Sequence, residues 1–220
     1  MLFERTPRRG FLAGVGAVAA GLVGGRVLEA QQAVVDASDK WVTSLTGKHR
    51  QLFDFNAHGD GIGLIHMHNF IETLKSAYKA PASDINAVGT FYGGTTPLAW
   101  NDAMWKNYEI GKALNLTDPA TKAPLTRNWF HRPAKGDPVF LNGMLADASI
   151  ESLTKRGARF LMCNNAFNLW VARLAAAGSG TPEAIGAEIK ANLLPGVTIV
   201  PAMVIAVEVA QRHGLTYMRT

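Results

Sequence analysis

From residue 48 onward, apolar positions follow two spacings in turn. Short runs rich in β-branched and aromatic residues give way to longer stretches whose apolar residues recur every three or four positions, the pattern of strands followed by covering helices. Gln51-Leu52-Phe53-Asp54-Phe55 reads as a first strand, stopped by the glycine turn His58-Gly59-Asp60-Gly61. Ile62, Ile65, Phe70, Ile71 and Leu74 then carry a helix toward Tyr78, and Pro81 closes it. Residues 85–92 read as the second strand, ending at Gly93-Gly94, and Asn101 caps a helix over 103–114. A helix over 150–156 stops at Gly157, and the third strand, 158–162, delivers Cys163 at its carboxyl end. Residues 167–176 are helical, Thr181-Pro182-Glu183 starts another helix with proline in its first position, and 197–200 form a fourth strand. A helix over 205–212 ends at Gly214, before a short last strand at 215–218.

Such an alternation predicts an α/β domain over 48–219: a doubly wound, mostly parallel five-stranded sheet with helices on both faces and flavodoxin-like layering. Between 115 and 147 the periodicity fades. Pro124, Pro133 and Pro138 interrupt a stretch that also holds Trp129, Phe130 and His131, so it reads as a long insertion, either functional or a docking surface. Trp100 and Trp105 read as packing residues.

The first 37 residues follow neither spacing. Arg8-Arg9 precede Phe11-Leu12 and a Gly/Ala-rich, charge-free run to Gly25, which reads as a twin-arginine export signal. That run is too short and too weakly apolar for a span needing roughly 20 apolar residues. The mature start is expected between Gln31 and Ser38, in the periplasm. Loss of residues 1–37 removes four arginines and three acids, so the net charge of +5 becomes +4. No basic block or stripe is present, so neither nucleic acid nor a membrane surface is expected as a partner.

Cys163 is the only cysteine, which excludes an intrachain disulfide framework and any multi-cysteine metal site. No Cys-x-x-Cys-His offers a haem attachment, and no zinc-site motif is read among the histidines, so no cofactor and no metal is predicted. Cys163 falls at a strand's carboxyl end just before a helix, with Asn164 and Asn165 following it. Backbone amides and the helix dipole there favour a nucleophilic sulfur, and a buried packing thiol fits the same position. His58, in the turn after the first strand, lies on the same sheet edge. With Asp60 it would orient the thiol, or hold a small anion beside the amides of Gly59, Gly61 and Gly63; a solvated turn histidine is the plain alternative. His131, with Trp129, Arg127 and Arg132, would lid the pocket, bind an anionic substrate or anchor the insertion. His66 and His68, two apart on a helix, face differently and are poor joint ligands.

Three segments carry a family likeness: Gly157-Ala158-Arg159-Phe160-Leu161-Met162-Cys163-Asn164-Asn165, then Leu193-Leu194-Pro195-Gly196-Val197-Thr198-Ile199-Val200-Pro201-Ala202, then Gln211-Arg212-His213-Gly214-Leu215-Thr216-Tyr217-Met218. Their order resembles the DsrE/DsrF-like family, with a strand-end cysteine, a Leu-Pro-Gly-Val strand with a Val-Pro corner, and a Gln-x-x-Gly-x-x-Tyr ending. The resemblance implies a DsrE-like sheet, a homo-oligomer, and Cys163 as the acceptor of sulfane sulfur. It also implies a thiol or sulfur-donor partner, and the export signal sets the chain apart from cytoplasmic relays that serve tRNA thiolation. Two functions are therefore expected: sulfur handling on Cys163, or a non-catalytic periplasmic module of the same fold that binds a small molecule, haem or a partner.

Overall fold

Five strands form one sheet in the order β4-β3-β2-β1-β5: β1 His49–Asp54, β2 Ile85–Phe91, β3 Arg159–Cys163, β4 Val197–Val200 and β5 Thr216–Arg219. Every pairing is parallel. The computed structural model describes residues 39–134, 136–137 and 146–220. The expected export signal and mature start, and Pro138 within the insertion, lie outside them.

The helices are α1 Ile62–Ser76, α2 Asp102–Asn107, α3 Ile110–Ala113, α4 Ile150–Lys155, α5 Asn164–Ala176, α6 Pro182–Ala191 and α7 Met203–Arg212. Their layering follows from handedness. The steps β1→β2→β3→β4 all move the same way across the sheet, and right-handed crossovers place their connecting helices on one face. The step β4→β5 moves the opposite way, past β1, so its helix α7 falls on the other face. Two core clusters result. Phe53, Phe91, Phe160 and Met162 pack under α1, α5 and α6, while Leu52, Val88, Leu161 and Cys163 pack under Met203, Ala206 and Val209 of α7 and under Trp41 and Val42 of a helical turn at 39–43. Alternation along each strand divides the side chains between the two clusters.

The doubly wound α/β fold expected from the spacing is present, with a sheet that is wholly parallel. Two local readings change. The helix expected over 103–114 is two short helices, because Tyr108 ends α2 and Glu109 turns left-handed at φ 48° before α3. α5 starts directly at Asn164, three residues earlier than its apolar spacing suggested, so Cys163 is its cap.

The insertion is part of the core. Leu125, Trp129 and Phe130 are buried in the larger cluster with Trp100 and Trp105. Gly111 permits this approach, since a Cβ there would collide with the backbone of Leu125. Asn128, almost fully buried, is the main fastening: its Nδ2 donates to the carbonyls of Leu98 (2.9 Å) and Trp100 (2.8 Å), while its Oδ1 accepts from the His131 amide. Its own amide donates to Asp102 Oδ1 at 2.8 Å. A forked ion pair of Arg127 with buried Asp137 closes the segment. Asn128→Ala would strand two buried carbonyls, and a loss of about 2 kcal/mol is expected in urea unfolding followed by circular dichroism.

Candidate functional site at the carboxyl edge of the sheet

Cys163 ends β3 and caps α5, and 6% of its surface is exposed. Its sulfur accepts two backbone N–H bonds: from Ala166 in the first turn of α5 (3.5 Å) and from Met203, the first residue of α7 (3.3 Å). α7 has no side-chain cap, and the sulfur satisfies one of its open amides. Two helix amino termini thus meet at one atom, a setting that stabilises negative charge developing on sulfur. In the same core cluster Val200 of β4 pairs with it, Leu161 stands two residues back on its own strand, and Met203 follows at the start of α7.

Sequence reasoning missed a polar group on the same face of the sheet, centred on β1, two strands from this cysteine. Asp54 ends β1 and is 8% exposed, unusual for a carboxylate. Its Oδ2 accepts from the Tyr217 hydroxyl at 2.6 Å, and its Oδ1 accepts from the Thr90 hydroxyl at 3.3 Å. The Tyr92 phenol also lies at this carboxylate, and burial first, then Asp54, pushes its ionisation well above the usual phenol range. Tyr217 is likewise raised, chiefly by its hydrogen bond to Asp54 and then by burial. Side-chain alternation puts Asp54, Thr90, Tyr92, Cys163 and Tyr217 on the same face as Leu52 and Val88. The available sequence signal was an acid inside an otherwise apolar strand, Leu52-Phe53-Asp54-Phe55.

The other predicted site residues stand elsewhere. His58 is half-buried in the turn after β1, with its ring 5.9 Å from that of Phe130, a member of the larger cluster on the opposite face from Cys163. Its Nδ1 accepts from the Asp60 amide at 3.4 Å and lies 3.9 Å from the exposed Asp60 carboxylate. The structure shows no hydrogen bond between His58 and Cys163 among the described residues. The glycine turn closes on itself: the amide of Gly61 donates to the His58 carbonyl and that of Ile62 to the Gly59 carbonyl. The Gly61 amide, one of the three expected beside an anion, is thus engaged within the turn, as is that of Asp60. Asp60 itself is left-handed at φ 49°, which aspartate tolerates. Gly63 serves packing, as a Cβ there would stand 2.6 Å from the Phe55 ring and 2.8 Å from Thr220 Oγ1.

Asn164 is half-buried and Asn165 exposed in the first turn of α5. His131 is half-buried beside Asn128, where burial and then Arg132 lower its proton affinity. Around it Arg127 pairs with Asp137 and Arg132 with Glu151, contacts that tie the segment down. His68 Nδ1 meets Arg156 at 3.1 Å, whereas His66 lines a separate groove, of about 400 Å³, between α1 and the β1–β5 edge. A second groove, about 540 Å³, lies between α5 and α6. Neither includes Cys163 in its lining. Among the described residues no group of three or more His, Cys, Asp or Glu is placed to hold a metal, and no helix is long and apolar enough to cross a membrane.

Tyr217→Phe removes a phenol bond to a buried carboxylate, and a loss of about 1 to 2 kcal/mol is expected in denaturant titration. Tyr92 and Tyr217 both hold their protons more tightly folded than unfolded. Their contribution should therefore be complete below the unfolded phenol value, near pH ~10, and decline as pH rises beyond it. Unfolding midpoints across this range should fall less steeply for Tyr217→Phe than for the wild type. Comparison of the chain with protein-family models, with curated proteins and with solved structures yields no match.

Proposed function

We propose that this chain is an exported, periplasmic sulfur-handling protein that takes sulfane sulfur onto Cys163. The observation that carries the reading is the pair of helix-terminal amides donating to its Sγ. In the loading step the Cys163 proton leaves to solvent and the thiolate attacks the outer sulfur of thiosulfate. A new S–S bond forms while the bond to the sulfonate sulfur breaks and sulfite departs with the electron pair. Polysulfide loads in the same way, with a shorter polysulfide as leaving group. The negative charge left on the outer sulfur is then available to an acceptor, which removes that sulfur and returns the cysteine thiolate. Likeness of the segments around Cys163, Pro195-Gly196 and Tyr217 to the DsrE/DsrF-like family supports the same chemistry. The Arg8-Arg9 segment supports the location. Exposed Val204 and Ile205 on α7, directly after Met203, support association with a second copy or with a thiol-bearing partner.

Deep burial of Cys163 favours a second reading, in which it packs the strand end and the domain binds a small molecule, haem or a partner without sulfur transfer. Incubation with thiosulfate or polysulfide, followed by intact mass measurement, separates the two. Sulfur handling requires mass gains of whole sulfur atoms on the wild type, reversible by thiol reductant and absent from Cys163→Ser. A wild type that gains no mass refutes it and leaves the binding module.

A further inference from the structure

β5 lies at the end of the sheet, one strand beyond those that α1 covers. α1 packs chiefly over β2 and β1, and β5 takes its helical cover from α7 on the opposite face. The face of the β1–β5 pair beside α1 is thus left open, and there lies the groove of about 400 Å³, a volume at the small end of ligand pockets. Phe53 and Met218, partners in the β1–β5 register, make its floor. His66, Asn69, Phe70, Thr73 and Leu74 make its wall, because spacings of three and four set them in one stripe along α1. The Phe70 ring stands edge-on to that of Phe53, with centroids 5.6 Å apart and planes at 70°. Tyr78, 72% exposed, closes the groove just past the end of α1. Its place is fixed by the helix terminus: Lys79 turns left-handed at φ 55°, and the Ala80 amide donates to the Leu74 carbonyl at 3.0 Å.

The side chains of the lining select a class of occupant. Phe53, Phe70, Tyr78 and Met218 offer an apolar, polarisable surface, and no Lys, Arg, Asp or Glu is among the lining residues. A charged group would lose its water there without gaining a counterion. Gln51, Asn69 and Thr73 add neutral donors and acceptors. His66 Nδ1 is buried and has no hydrogen-bond partner among the described residues, which leaves Nε2 as the edge of the ring that meets a ligand. We infer that this groove is a binding site for a small uncharged aromatic compound, its ring seated on Phe53 and Met218 beside Phe70 and Tyr78 and its polar edge turned to Gln51, His66, Asn69 and Thr73. The site lies on the face opposite Cys163, so it is independent of sulfur handling and of either reading of the cysteine.

Titration with indole, an uncharged ring with one N–H, followed by amide nitrogen–proton correlation spectra, tests the site. Saturable one-to-one binding is expected, with a dissociation constant on the order of 1 mM or tighter. The largest shifts should fall on the amides of Asn69, Phe70, Thr73 and Met218. Indole-3-acetate, the same ring bearing a carboxylate, should bind about ten-fold more weakly or worse, for want of a counterion. Thr73→Trp, a change at an exposed position, fills the groove and should abolish binding, while Tyr78→Ala removes one side and should weaken it several-fold. Absence of saturation, shifts centred on the groove between α5 and α6, equal binding of indole-3-acetate, or unchanged binding by Thr73→Trp each overturns the inference. So does a concentration-dependent dimer in sedimentation velocity that Thr73→Trp disperses, since the occupant is then a second copy of the chain. Should Thr73→Trp fail to fold, Tyr78→Ala decides, and wild-type affinity there overturns the site.

Discussion

Because all five strands run the same way, their carboxyl ends come to a single edge, and the helices that follow them start there with unpaired amides. Parallel pairing alone sets Asp54, Tyr92, Cys163 and Tyr217, remote in the chain, on one face of the sheet. It also forces the crossovers, and their handedness decides which helix covers which face. Reversal of direction after β4 sends α7 to the face that carries Cys163, and the first amide of α7 reaches the sulfur. A chain whose last strand had continued outward from β4 would have placed α7 on the other face.

The same edge contains two kinds of polar solution. At Cys163 the donors are main-chain amides and the acceptor is a soft sulfur at the end of an apolar strand. At Asp54 the acceptor is a carboxylate and the donors are hydroxyls of Thr90 and Tyr217. Thr220 donates to the Asp54 carbonyl as a further tie between β1 and the end of β5.

The insertion illustrates how polar residues inside a long irregular segment serve packing. Its proline-broken sequence lacks any period, yet Leu125, Trp129 and Phe130 sit in the larger core, and Asn128 satisfies carbonyls that the 3₁₀ segment Gly93–Ala99 and its continuation leave open. Arg127 adds its ion pair with Asp137, and His131 lies beside Asn128.

Fold class was legible in the sequence because strand and helix periods are local, and a βα alternation with turn residues between elements admits few topologies. Cys163 at a strand end was legible for the same reason: Phe160-Leu161-Met162 sets the strand, and the following helix sets its end. Invisible were the second amide on the sulfur, from Met203, and the carboxylate with its phenols, because each joins residues 36 to 163 positions apart in the chain. The closed glycine turn at His58 was also hidden, since its amides could face a ligand or their own carbonyls and only backbone angles choose. Local spacing determined which residues lie in strands and on which side they point; the order and register of the strands, settled only when the sheet assembles, decided which of those residues meet.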